Sequence, residues 1–329
     1  MTVATADDAF LAQIEPLRRE LTAHCYRMVG SVHEAEDLVQ ETYLRAWRAR
    51  DQFEERSSLR TWLYRIATNT CLTALRGAQR RPLPTGVGGP SPDARATLAT
   101  DTDMPWLEPL PDTVVWSNAA PDPAEDVVTR DSVRLAFVAA LQYLTAQQRA
   151  VVLLCDVLKW RAREAADALE VSVAAVNSSL QRARAQLAKV DAADVERLDN
   201  ADDRVRDLLS RYVAAFESYD VTGIVALLTE DVVWEMPPFT SWFVGADAVR
   251  GLVEDQCPAS APGDMRMVPT SANGLPVLAV YERDEDGVHR AFQLQQLTVT
   301  AGGVSHVTCY FDTSLFAKFG LASELPPVP

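Results

Sequence analysis

With 329 residues, 48% of them apolar, and a formal charge of −15, the chain has material for two or three domains with cores of their own and is too apolar to be disordered. No apolar run nears the roughly 20 residues that span a bilayer, and the opening MTVATADDAF lacks the basic and apolar stretches of a secretory signal. A cytoplasmic protein without a membrane partner is expected. Cys25, Cys71, Cys155, Cys257 and Cys309 are scattered, with no CxxC pair and no histidine at ligand spacing. They predict reduced thiols, no metal and no cofactor. The charge is uneven. Residues 1–190 hold 22 Lys+Arg against 24 Asp+Glu, whereas residues 191–329 hold 9 against 22, so the acidic half repels DNA and the first half does not.

Residues 8–81 read as helices with short breaks. Gly30 stops one helix, and Ser31 with Glu34 makes the S-x-x-E capping box of the next. In AEDLVQETYLRAW (35–47), Ala35, Leu38, Val39, Thr42, Ala46 and Trp47 return at spacings of three and four and form the buried stripe. Asp37, Gln40, Glu41 and Leu44 then face outward. A charged helix face is usually only solvated, but an apolar Leu44 among charges suggests a protein contact. Residues 57–81 carry five arginines and no acid over an apolar stripe from Leu59 to Leu75. This leaves Arg60, Arg65, Asn69, Arg76, Arg80 and Arg81 for phosphate or base contact. Trp62 is either a core tryptophan or a stacking surface.

Residues 82–127 are proline-rich and aperiodic, and predict an extended, partly disordered tether. Residues 128–190 return to helix. WRAREAADALEVS followed by VAAVNSSLQRARAQL predicts two helices around a tight turn, with Ser172 capping the second. Val173, Val176, Leu180, Ala183 and Leu187 pack inward. Asn177, Ser178, Gln181, Arg182 and Arg184 point out. Asn and Gln suit adenine, Arg suits guanine, and this is the pattern of a helix-turn-helix.

An acidic connector leads to a third domain over 204–322. Helices at 204–219 and 221–228 precede strand-like VVWEM, PVLAVYE, AFQLQQLTV and SHVTCYF, with hairpin turns at Asp286-Gly287 and Gly302-Gly303. Helices followed by an antiparallel sheet predict an α+β fold.

Residues 33–47 together with SSLRTWLYRIATNTCL closely resemble region 2 of the extracytoplasmic-function sigma factors. YLTAQQRAVVLLCDVLKWRAREAADALEVSVAAVNSSLQRARAQL resembles their region 4. The resemblance implies two all-α sigma domains and a non-enzymatic function, promoter-specific transcription initiation with the RNA polymerase core. It implies that Asp37, Gln40, Glu41 and Leu44 dock on the β′ clamp helices. It further implies that Arg60, Trp62, Arg65, Asn69, Arg76 and Arg80 read the −10 element as a melted strand, and that Asn177, Ser178, Gln181, Arg182 and Arg184 read the −35 element. Two departures stand out: Asn177-Ser178-Ser179 carries fewer charges than the usual run, and Glu170 occupies a turn position that often holds Gly.

Residues 216–238, 242–250 and the last hairpin resemble the SnoaL-like branch of the NTF2-like cone fold. Some relatives are cyclases with an Asp and a nearby His. Trp234, Met236, Trp242, His306 and Asp312 are therefore candidates for a ligand pocket, against the alternative of an ordinary core, a structural His and a strand-capping Asp. The appendage implies regulation in cis through contact between the SnoaL-like domain and the sigma domains, with no dedicated anti-sigma factor required. Two other readings stay open: a cyclase-like enzyme on a DNA-binding tether, and a dimeric helix-turn-helix repressor with a ligand domain.

Overall fold

The computed structural model describes residues 6–53, 57–116, 132–188, 198 and 202–326. The chain forms two compact units. The first combines Met1–Arg81 with Leu107–Ala193, and the second combines Pro82–Trp106 with Asp194–Pro329. The partition separates the proline-rich stretch into two pieces with different partners.

In the first unit, α1 (Ala6–Ile14), α2 (Arg18–Val29), α3 (Val32–Ala49) and α4 (Leu59–Ala74) pack around Leu21, Cys25, Met28, Val39, Leu63 and Ala67. Each boundary has a local cause. Gly30 ends α2 in the left-handed region at φ 76°, and a Cβ there would meet Leu107 Cδ1 at 2.8 Å. The hydroxyl of Ser31 accepts from the Glu34 amide and that of Ser58 from the Thr61 amide, capping α3 and α4. Glu108, which the sequence assigns to a tether, sits at the start of α3. Its Oε2 accepts from Ser31 Oγ and the Val32 amide, each at 2.9 Å, and from His33 Nδ1 at 3.0 Å. A carboxylate there satisfies orphan amides and meets the positive end of the helix dipole. Leu107 and Leu110 are buried beside it. Residues 107–110 are thus part of a folded domain. The 117–127 part of the expected tether lies outside the described residues.

The second half of this unit comprises α5 (Asp112–Val115), α6 (Leu135–Leu141), α7 (Ala146–Val152), α8 (Ala162–Leu169) and α9 (Val173–Leu187). Thr145 and Gln148 close a reciprocal capping box on α7. A wide π turn over Leu153–Val157 leads to α8. The two helical halves fall in this one compact unit, and the helix-turn-helix half keeps an apolar cluster of Val151, Leu154, Ala165, Ala166 and Val176. Arg149 of α7 is 4% exposed, and its guanidinium donates to Leu141 O at 3.0 Å, to Leu144 O and to Met28 O. Burial pulls its pKa down to about 10, so it stays charged at neutral pH.

The second unit is the α+β body. α10 (Asp203–Glu217), α11 (Val221–Ala226) and α12 (Ala246–Gln256) pack on one sheet of order β2-β1-β6-β5-β4-β3. Its strands are β1 (Leu228–Glu235), β2 (Trp242–Val244), β3 (Met265–Ala272), β4 (Leu275–Arg283), β5 (His289–Thr300) and β6 (Gly303–Tyr310). All neighbours pair antiparallel except β1 with β6. The sheet is therefore mixed, not purely antiparallel. A short α13 (Leu315–Lys318) and β7 (Glu324–Leu325) finish the unit. The β3–β4 turn, Asn273-Gly274 with φ 54° and 72°, is an unread hairpin signal of the asparagine-glycine type. The strand before it, MRMVPTSA, has a proline, which an edge strand tolerates.

Pro82–Trp106 is a strap on this body. Thr85 N donates to Glu235 Oε2 at 3.1 Å, Trp242 Nε1 to Gly88 O at 2.9 Å, and Ser91 N to Trp242 O at 2.7 Å. Thr240 N donates to Ala99 O and Asp101 N to Pro238 O, each at 2.9 Å. A proline-rich segment loses little backbone entropy on docking, so a few such bonds suffice to hold it.

Replacing Arg149 with Ala takes a charged donor from three carbonyls, of which Leu141 O keeps the Leu144 amide. The first unit is expected to lose about 3 kcal/mol in urea unfolding, with the loss shared by α2 and α7. A loss under about 0.5 kcal/mol would show that the two halves do not depend on Arg149.

Candidate functional site

Helix α3 presents the first surface. Asp37 and Gln40 are exposed, Glu41 is half-buried in an ion pair with Arg45 at 2.7 Å, and Leu44 is 50% exposed. The four form one outward strip. The buried stripe differs from expectation at one end: Trp47 is 37% exposed, with the Arg50 guanidinium 4.7 Å from its ring, and Tyr43 is buried instead with its hydroxyl on Ile14 O. Tyr43 falls on the inward side of the 39–42–43–46 spacing, which is the signal that reading passed over.

Helix α4 supplies the second. Arg60 pairs with Glu20 at 2.6 Å, and Trp62 is half-buried with its ring 5.1 Å from Phe53. Arg76 is exposed. The other three face the second half of the unit. Arg65 Nη2 lies 3.4 Å from Glu170 Oε1, Asn69 Nδ2 donates to Ala168 O at 3.3 Å, and the Arg80 guanidinium lies 4.4 Å from the Tyr143 ring. The first is long and exposed, the second long and part-buried, and the third a surface cation–π contact, each the kind that contributes at most about 1 kcal/mol.

Helices α8 and α9 form the third. Ser172 caps α9 through the Ala175 amide, Val176 packs in one cluster with Ala165 and Ala166, and Ala183 is buried. Asn177, Ser178, Gln181 and Arg182 are exposed, with Arg182 donating to Ser178 Oγ. Arg184 is exposed too but bidentate on Asp156, at 2.5 and 3.0 Å. Val173, expected to pack inward, is 41% exposed at the first turn of the helix, beyond the reach of α8. Glu170 takes the left-handed conformation, φ 55° and ψ 43°, that the turn requires.

In the second unit a cavity of about 400 Å³ opens between the sheet and the helices, lined among others by Trp234, Met236, Phe292, Gln293, Glu282 and Leu98. Two of the five sequence-named residues, Trp234 and Met236, are on it. The other three are elsewhere. His306 and Trp242 lie on the opposite sheet face, because β1 and β6 alternate: Trp234 pairs with Val307 and Phe243, Glu235 with Thr308 and Trp242. Trp242 anchors the strap, and Asp312 accepts from Ser314 N and Oγ at the entry to α13. No His–Asp pair forms between His306 and Asp312.

His306 instead donates to Glu235, 2.8 Å away and fully buried, which Thr308 Oγ1 also reaches at 3.2 Å. Burial pushes the Glu235 carboxyl up, but the His306 charge and the hydrogen bonds from His306 and Thr85 outweigh it and hold it below the usual carboxylate value. Glu235 was missed because a single acid in a strand carries no pattern. Among the described residues no group of His, Cys, Asp and Glu could hold a metal, and no helix is long and apolar enough to cross a membrane.

Family comparisons match residues 13–81 to Sigma-70 region 2, residues 134–187 to Sigma-70 region 4, and residues 209–307 to the SnoaL-like domain. The ECF RNA polymerase sigma factor SigG of Mycobacterium tuberculosis is 56% identical over 317 residues, 96% of this chain and 85% of that protein. The chain belongs to the ECF RNA polymerase sigma factors. SigJ of Mycobacterium tuberculosis is 31% identical over 223 residues, covering 68% of this sigma factor and 63% of SigJ. The crystal structure of SigJ shares the fold, with a TM-score of 0.59 and 23% identity over 95% of this chain and all of that one. As a sigma factor the chain serves transcription initiation, and the surfaces on α3, α4 and α9 lie within its two sigma regions.

Glu170→Gly removes a left-handed strain of about 1–2 kcal/mol and a surface pair of at most about 1 kcal/mol. The first unit should gain roughly 1 kcal/mol in urea unfolding, and an equal loss would mean that the Arg65 contact dominates. For Glu235, a lowered folded pKa means stability present above the unfolded carboxyl value of about 4.3 and lost as pH falls through the lower folded value. Glu235→Gln should cost the second unit about 1–3 kcal/mol at pH 7, and the gap to wild type should close below about pH 4. A gap independent of pH would assign the loss to packing.

Proposed function

We propose that this sigma factor docks on the β′ clamp helices through Asp37, Gln40, Glu41 and Leu44, reads the −10 element with α4 and the −35 element with α9, and is regulated in cis by its SnoaL-like domain without a dedicated anti-sigma factor. The observation that carries the regulatory part is the strap. Residues 82–106 belong to the stretch joining region 2 to region 4, yet they run along the SnoaL-like body through the bonds of Thr85, Gly88, Ser91, Ala99 and Asp101. A joint held along another domain cannot extend freely, so strap docking limits how far the two sigma regions separate.

The α4 surface supports the same reading. A melted strand needs stacking faces and free cations. Arg65, Asn69 and Arg80 are occupied by Glu170, the Ala168 carbonyl and Tyr143. Contacts this weak suit a surface that must be vacated. Arg184 is similarly paired with Asp156, which leaves Asn177, Ser178, Gln181 and Arg182 as the first choices for base contact.

The test is run-off transcription with core polymerase on a promoter library, comparing wild type with Leu44→Ala, Asn177→Ala and Trp242→Ala. Leu44→Ala should weaken core binding by about tenfold or more, since an apolar anchor at a contact centre is worth about 2 kcal/mol, and should leave DNA binding alone. Asn177→Ala should change promoter choice with core binding intact. Trp242→Ala, which frees the strap, should change the transcript yield at saturating core. An unchanged yield with a strap proved loose by proteolysis overturns regulation in cis while leaving the sigma assignment standing.

A further inference from the structure

The outward side of α9 carries two arginines, and the structure holds them in different ways. Asn177, Gln181 and Arg184 follow one another at spacings of four and three, so they share one row of the helix, and Ser178 and Arg182 share the next. All five are exposed. By position alone, Arg184 extends the Asn177–Gln181 row toward the C-terminus and offers a phosphate contact at its end.

Its guanidinium is turned to Asp156 instead. Nε lies 3.0 Å from Oδ2 and Nη2 lies 2.5 Å from Oδ1, fork against fork, with Asp156 on the wide turn over Leu153–Val157 that leads to α8. The backbone carbonyl of the same residue accepts from Lys159 Nζ at 2.6 Å. Asp156 therefore holds two cations of the helix-turn-helix, one by its carboxylate and one by its carbonyl. Arg182 rests on hydroxyls: its guanidinium donates to Ser178 Oγ at 2.5 Å and to Ser179 Oγ at 3.4 Å.

The two arginines face different exchanges when DNA arrives. A phosphate offers Arg182 the opposite charge that a hydroxyl lacks, and the contact releases a condensed counterion, which steepens the fall of log K with log salt by about 0.9. For Arg184 the exchange is one anion for another. The carboxylate left behind stands unpaired near the phosphates, repels them and takes up a cation from solution, so little is gained in charge pairing or in released ions. A phosphate contact adds affinity on every sequence, whereas contacts to base edges add it only where the bases match. With Arg184 withheld, α9 depends the more on its base contacts.

We infer that Asp156 is a positioning residue for promoter binding: by holding Arg184 it keeps that arginine off the DNA backbone and leaves the charge contact of α9 to Arg182. The inference rests on the reading that α9 meets the −35 element, and goes beyond it in the roles it gives Asp156, Arg182 and Arg184.

The experiment measures binding of the holoenzyme, this chain with core polymerase, to a fluorescent promoter fragment recovered in the run-off screen, from about 50 to about 200 mM salt. Asp156→Asn is expected to tighten binding about three- to fivefold at the lower salt and to steepen the salt slope by about 0.9, since the freed Arg184 gains a phosphate. Asp156→Asn combined with Arg184→Gln removes the pair without changing net charge, and should bind within about twofold of wild type with the same slope. Arg182→Gln should weaken binding about five- to tenfold and flatten the slope by about 0.9. Thermal melting of each variant checks that the fold is kept. A double variant that binds about fivefold more weakly, with a slope flatter by about 0.9, places Arg184 on a phosphate in the wild type and overturns the inference. So does Asp156→Asn with an unchanged slope. Unchanged binding and promoter choice in both Arg182→Gln and Asn177→Ala overturns the reading of α9 itself and the inference with it, whereas failure of the inference alone leaves the effects of those two variants in place.

Discussion

A buried guanidinium organises the helical unit. Arg149 gathers Leu141 O, Leu144 O and Met28 O, carbonyls near the C-terminal ends of α2 and α6, where the helix dipoles favour a cation. Removing a charge from water is expensive, and three aligned acceptors are what make it tolerable. The consequence is geometric. With Arg149 in place, the helix-turn-helix half stands against α2, and Asn69 and Arg65 meet the end of α8 and its turn. A strong central contact thus positions a set of weak peripheral ones, and the weak ones sit on the surface we propose for promoter reading.

The second unit answers a different constraint. Its sheet has one face toward helices and cavity, and another that carries a buried carboxylate. Glu235 remains tolerable because His306, Thr308 and the Thr85 amide supply donors to it. One of those donors belongs to the strap, so docking the strap helps solvate a charge the body has already buried. The same segment places Leu98 on the cavity. The two faces of one sheet are therefore both touched by residues 82–106, one through a polar anchor and one through an apolar wall.

Sequence reading went furthest where a residue acts through its own helix. Ser31 and Ser172 cap the helices they were expected to cap, because a cap is settled within four residues of chain. The outward strips on α3 and α9 follow from a period of 3.6 residues, and their exposure agrees. The errors lie at element ends, where periodicity no longer states what is opposite. Trp47 and Val173 fit the stripe in spacing, but the neighbouring helices do not extend to cover them.

The sequence by itself determined the family, the order of the helical segments, their caps and outward faces, and the strands with clear alternation, since each depends on local spacing. Only the tertiary structure decided what lies against what. It divided the proline-rich stretch between two units, because Glu108 finds the α3 amides and Trp242 finds Gly88, partners more than 70 residues away in sequence. It moved His306 off the cavity and onto Glu235, since strand register alone sets which sheet face a side chain occupies. It brought Gln293 to the cavity through a bulge that no local pattern announces. Interactions between distant residues depend on register and packing, and neither is written in the spacing of one segment.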